Sequence, residues 1–237
     1  MLDTFLFDLD GTLLPIDMDS FMKIYMEELG LFFKGVIAPE TLKKALWSGV
    51  HDMVKNDGGM TNQEVFIRKF CSLVERDRDE LTNMFERFYK SSYLNTRTSV
   101  SDIPLIRESV AELKARGYQM IIATNPVYPR EAIDRRIEWA GFYPDDFIYI
   151  SSYENSHFCK PSTEFYREIL EHTGKTPGQC IMVGNDVQED LAASDLGMQT
   201  YLIRDFIIHR GKDEPVCTYS GDYEDFHLFV KKLKPLV

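Results

Sequence analysis

The chain has 237 residues, 44% of them hydrophobic and 13% aromatic, with a formal net charge of −11. This content fits one large domain, or a core with a smaller attachment, and excludes a disordered chain. The acidic balance argues against nucleic-acid binding, which needs lysine and arginine patches, and any anionic ligand would need a local cationic site.

Residues 3–9 (DTFLFDL) are short, apolar and β-prone, and predict a buried strand. From about residue 17 to 92 the texture turns helical. Phe21, Ile24, Tyr25, Leu29 and Phe32 recur at helical spacing. A second amphipathic stretch starts at Pro39. A third starts at Thr61 with Glu64 three residues on, a capping box, and RDRDELTNMFERFYKSSY is a fourth. Gly58-Gly59 reads as a joint between cap helices, or as a loop facing the site.

After residue 100, helices and strands alternate. A helix ending at Gly117 precedes the strand QMIIATN, and a helix ending at Gly141 precedes FIYIS. A helix capped by Ser162 precedes QCIMVGND; VQEDLAASDLG reads as a helix and MQTYLI as a strand. Such alternation predicts an α/β fold, a Rossmann-like doubly wound parallel sheet with an all-helical cap inserted after the first strand. The expected division is a core of residues 1–15 and 97–237 and a cap of residues 16–96.

The four cysteines, Cys71, Cys159, Cys180 and Cys217, show no CxxC spacing and read as reduced thiols. The five histidines are scattered without ligand spacing. Neither a leader pattern nor a long apolar run stands out, so the expectation is a cytoplasmic protein without membrane association.

The chemistry collects at the strand ends, where open parallel sheets bind their ligands. The first strand ends in Asp8 and Asp10, the second in Thr124 and Asn125, and a later one in Asp186, with Asp190 beyond; Lys160 precedes the helix capped by Ser162. Each alone reads as a cap, a turn or a surface lysine. Together, acids from two distant strands repel unless a cation lies between them, and magnesium suits oxygen ligands and phosphate. A metal, a lysine and a hydroxyl around one point suit phosphoryl transfer. One carboxylate can be the nucleophile, and an acid two residues away the general acid and base.

DLDGTL at 8–13, Thr124-Asn125, Lys160-Pro161 and GNDVQED at 184–190 resemble, in order and spacing, the four motifs of the haloacid dehalogenase superfamily. The helical insertion resembles the cap of its phosphoglycolate phosphatase-like branch. The resemblance implies that Asp8 is the nucleophile that becomes an aspartyl-phosphate. It makes Asp10 the general acid/base, with its backbone carbonyl a Mg2+ ligand. Asp8 and Asp186 would also bind the metal. Thr124, the amide of Asn125, Thr12 and Lys160 would hold the phosphate, Thr12 also fixing the Asp10 side chain. Gly11 would let the backbone turn close to the phosphate. Asp190 would support the metal shell or orient Lys160. The chain departs from the family at Asn185, which stands between Gly184 and Asp186 and is assigned a supporting role. It also lacks an Asp-Ser pair after the first motif.

The resulting expectation is a magnesium-dependent phosphatase for a small phosphorylated metabolite, acting as a monomer or weak homodimer. A phosphomutase would keep the same residues. A dehalogenase or phosphonate hydrolase of this fold would lack Asp10, and a non-catalytic binding module would lack the nucleophile or a metal acid.

Overall fold

The structure, a computed structural model, describes residues 1–236. The chain starts with strand β1 (Thr4–Phe7), buried along its whole length. It then leaves the sheet for four helices, α1 (Met18–Phe32), α2 (Pro39–Val54), α3 (Asn62–Val74) and α4 (Arg78–Tyr89), and a 3₁₀ segment, Ser92–Ser99. Helix α1 buries Phe21, Tyr25 and Leu29, one residue per turn, and Asp17 caps it by accepting from the Ser20 amide. Thr61 and Glu64 form the expected capping box of α3.

The chain returns through α5 (Pro104–Ala115), β2 (Gln119–Ile122), α6 (Arg130–Trp139), β3 (Tyr149–Ile150), α7 (Thr163–Thr173) and β4 (Cys180–Gly184). It closes with β5 (Gln199–Ile203), β6 (Tyr219–Gly221) and α8 (Tyr223–Lys232). The sheet is parallel throughout, in the order β3-β2-β1-β4-β5-β6. Strand alternation sends Phe5 and Phe7 into one core with Val110, Ile133 and Phe226 of α5, α6 and α8. Leu6 goes into the other core, with Phe165 and Ile169 of α7. Helices thus cover both faces, and the winding reverses at β1, which lies between β2 and β4. That reversal opens a crevice at the carboxyl ends of these three strands.

Three local expectations change. FIYIS contributes only the two-residue β3, and neither β6 nor α8 was foreseen. The stretch after Asp186 is a turn followed by a 3₁₀ segment, Leu191–Leu196, instead of an α-helix. Its amides explain why: Gln188 and Glu189 both donate to Asp186 Oδ1 at 3.0 Å. Side-chain acceptors that capture backbone amides compete with the helical ladder.

The cap meets the core at its linkers, at the start of α3 and through aromatic packing. Its two linkers run side by side: Ile16 bridges Val100, Asp17 N donates to Ser99 O and Ser101 N to Pro15 O. At the start of α3, Asn62 N donates to Ser156 O (2.9 Å) and Gln63 N to Tyr153 O (2.7 Å). The fully buried Asn62 side chain also donates to Pro126 O at 3.3 Å. Gly58, at positive φ, packs against Phe158 of the core, where a Cβ would clash with its ring. Between cap and core lies an aromatic cavity of about 100 Å³, lined by Tyr25, Trp47 and Phe66 from the cap and Val127, Tyr128 and Tyr153 from the core. Among the described residues, no helix is long and apolar enough to cross a membrane.

Candidate active site

Asp8 and Asp10 follow the last residue of β1, Thr124 and Asn125 come shortly after β2, and Asn185 and Asp186 directly follow β4. All six line one pocket of about 200 Å³, together with Met18, Val127, Tyr128, Glu189, Ile208 and Arg210. The parallel register of β1 with both neighbours brings these segments together.

Lys160 is 1% exposed, and its ammonium bridges two acids. It donates to Asp8 Oδ1 at 2.8 Å and to Asp190 Oδ1 at 2.6 Å. One cation between two buried acids leaves an excess negative charge. Burial pushes the Asp8 carboxyl up to about 8, Lys160 pulling the other way, and burial raises Asp190 too. The two acids titrate as a pair around the shared ammonium. Asp190 Oδ2 accepts from the Asp186 amide at 2.8 Å, so the same carboxylate fixes both Lys160 and the turn that carries Asp186.

Asp10 is held by a residue that the sequence reading did not single out. Arg136 of α6, 1% exposed, donates through Nη1 to Asp10 Oδ2. Its guanidinium carbon sits 4.2 Å from the centroid of the Tyr128 ring, a cation–π contact. Burial works against the guanidinium charge, but Asp10 beside it raises Arg136 above its ordinary value. Among the described residues, Asp10 Oδ1 is buried without a hydrogen-bond partner. The signal was present in the sequence: Ala132, Ile133, Arg136 and Ile137 share the buried face of α6, whereas Arg135 pairs with Glu131 and Glu138 at the surface.

Thr124 is buried and faces the pocket. Asn125 donates to Glu189 Oε2 at 3.0 Å and accepts from the Lys160 amide at 3.3 Å, tying three site segments together. Thr12 lies elsewhere. It is fully buried and donates to Asn185 Oδ1 at 3.0 Å, so it locks the first motif to the fourth and does not point at the pocket. Asn185 donates on to Phe206 O at 2.7 Å. Gly11 is needed for this packing, since it adopts φ +82° and a Cβ there would collide with Asn185 Nδ2.

Glu189 and Arg210 were also missed. Burial raises the Glu189 carboxyl. Arg210, on the loop after β5, grips Asp186 with both guanidinium nitrogens, at 2.8 Å to Oδ1 and 2.8 Å to Oδ2. Cys159, beside Lys160, is pushed up to about 12 by burial, which keeps it a thiol, as a passive neighbour should be.

The donor set fits a magnesium ion. Among the described residues no three His, Cys, Asp or Glu side chains group to hold a metal. Magnesium does not need three: it takes one or two carboxylates and keeps several waters. Asp8 and Asp186 line the pocket as such a pair, with Asp10 in the same lining.

A parallel sheet with acids at adjacent strand ends, a buried lysine between acids and a helical lid defines a capped α/β enzyme. The model of the haloacid dehalogenase-like hydrolases matches residues 2–197, and the chain belongs to that family. It is therefore a hydrolase. It is 22% identical over 195 residues to pyrophosphatase PpaX of Bacillus velezensis, covering 82% of this chain and 80% of that protein. Among solved structures, 2-haloacid dehalogenase from Pseudomonas syringae superposes with a TM-score of 0.63 at 17% identity, covering 98% of each chain. The magnesium-bound HAD-hydrolase YfnB from Bacillus subtilis superposes at 0.59 and 19% identity, covering 97% of this chain and 98% of that one. These structural likenesses show the shared fold.

Proposed function

We propose that this hydrolase is a magnesium-dependent phosphatase that cleaves a small phosphomonoester through an aspartyl-phosphate on Asp8. The observation that carries the reading is the buried Lys160 bridging Asp8 and Asp190, with Asp10 two residues from the nucleophile in the same pocket. Asp10 favours this reading over a dehalogenase, because releasing halide needs no acid.

In this reading Asp8 attacks phosphorus while Asp10 Oδ1, the oxygen that Arg136 leaves free, delivers its proton to the departing oxygen. Thr124, the Asn125 amide and Lys160 hold the phosphoryl oxygens as negative charge spreads over them. Asp10 Oδ1 then takes a proton from the water that attacks the aspartyl-phosphate, which frees phosphate and restores Asp8. Magnesium, held by Asp8, Asp186 and the Asp10 carbonyl, would neutralise charge on the phosphoryl group. Asp190 positions Lys160. The cap excludes bulk water and strengthens each charge contact.

A panel of phosphorylated metabolites, with pyrophosphate included because of the PpaX likeness, tests the proposal against wild type and Asp8→Asn. Magnesium-dependent release of phosphate by wild type alone supports it. Halide release from a 2-haloacid without phosphate release would overturn it. Conversion of one phosphate isomer into another would move the reading to a phosphomutase.

A further inference from the structure

The Asp186 carboxylate is unusually crowded. Its Oδ1 accepts from the Gln188 amide, the Glu189 amide and Arg210 Nη1. Three donors leave that oxygen little room for another partner. Its Oδ2 contacts Arg210 Nη2 at 2.8 Å. The side of the carboxylate able to take a cation is therefore filled by a guanidinium.

The two partners differ in freedom. The Asp186 side chain is 10% exposed and anchored by its turn, whereas that of Arg210 is 55% exposed. The backbone under Arg210 is fixed: Val187 N donates to Ile208 O, Ile208 N to Asn185 O, and Arg210 N to Gln188 Oε1. A fixed backbone with a solvent-facing guanidinium allows the side chain to leave Asp186 without moving the loop. Glu189 Oε1, 3.7 Å from Arg210 Nη2, offers a second acid to receive it.

We infer that Arg210 is a resident counter-ion that competes with magnesium for Asp186 and thereby sets the metal affinity of the site. Without metal, the guanidinium compensates a carboxylate that burial would otherwise leave unpaired. Metal binding exchanges one cation for the other, and the guanidinium shifts toward Glu189 and solvent. The ion pair stabilises the metal-free protein only, so removing it tightens magnesium binding. If Arg210 instead buttressed the metal ligand, its removal would weaken binding. The inference rests on the magnesium reading.

The test is calorimetric titration of MgCl2 into chelator-stripped full-length protein, for wild type, Arg210→Gln, Arg210→Lys and Asp186→Asn. Arg210→Gln should bind magnesium about fivefold tighter than wild type, the scale of a well-formed, partly exposed ion pair. Arg210→Lys, which cannot grip both oxygens, should fall between. Asp186→Asn should lose most of the affinity. Unchanged or weaker binding by Arg210→Gln, with wild type binding normally, would overturn the exchange and leave the metal reading standing. No magnesium binding by wild type would overturn both.

Discussion

Replacing Lys160 by Met isolates the charge balance of the site. The side chain is buried between Asp8 and Asp190, and the substitution keeps most of its volume. Removing one partner of a buried ion pair typically costs about 3–5 kcal/mol, because the remaining charge is uncompensated. Here two acids are left facing each other, so the upper part of that range applies only where the wild type has both ionised, at the alkaline end above about pH 8. The cost depends on pH. Burial already pushes the Asp8 carboxyl up to about 8, and without the ammonium both acids rise further. A carboxyl that is raised in the folded state holds a proton that the unfolded chain, titrating near about 4, has released. Stability therefore falls as pH climbs through that interval, in wild type and variant alike. The two part only above about pH 8, where wild-type Asp8 ionises beside its ammonium and the variant's does not. The deficit should therefore grow from about pH 8 upward and be smaller at about pH 5. Urea unfolding in chelator at several pH values measures it. Adding Asp190→Asn removes one of the stranded acids and should recover part of the loss. A deficit below about 1 kcal/mol at the alkaline end, the level of a surface pair, would refute the reasoning. So would a deficit that does not change with pH.

Other expectations follow from the same geometry. Asp8→Asn should abolish turnover, and it should flatten the fall in metal-free stability with rising pH, because the group that gains a proton on folding is gone; near-normal rates would remove Asp8 as nucleophile. Arg136→Met should lower kcat by about 100-fold with little change in KM, since Arg136 fixes the oxygen of Asp10 opposite the one that moves the proton. Combined with Asp10→Asn it should add almost nothing, and additive losses would argue that Arg136 acts elsewhere. Chelation should stop turnover and calcium should not restore it, because its looser and larger coordination misplaces the nucleophile; full rates in chelator would remove the metal from the mechanism.

The pocket was readable because its acids and its hydroxyl sit at the ends of apolar runs, where strand direction alone delivers them to one edge. Helical spacing from Phe21 to Leu29 and the Thr61–Glu64 box made the cap readable in the same way. The partners of these groups were harder to see. Arg136 lies in a helix dense with surface charge, and its reach to Asp10 spans 126 positions. Arg210 sits on a loop whose course depends on main-chain bonds to Asn185 and Val187, which no local pattern encodes. The family resemblance implied that Thr12 faces the phosphate. Its hydroxyl turns inward because Asn185, the departure from the family pattern, supplies an acceptor there. The stretch after Asp186 has helical composition but lost its ladder to a carboxylate.

The first turn of α3 carries its own consequence. A helix start leaves amides without partners inside the helix, and here the amides of Asn62 and Gln63 end on Ser156 and Tyr153, carbonyls of the other body. These two hydrogen bonds exist only while cap and core are in contact. Lifting the cap exposes both amides to solvent without unwinding the helix that bears them. Their deuterium uptake therefore clocks the opening of the enzyme itself, while Phe66 and Phe70, one and two turns along, should keep the protection of intact α3. A cap that swings on its two linkers alone would leave Asn62 and Gln63 exchanging at the same rate whether or not substrate holds it shut.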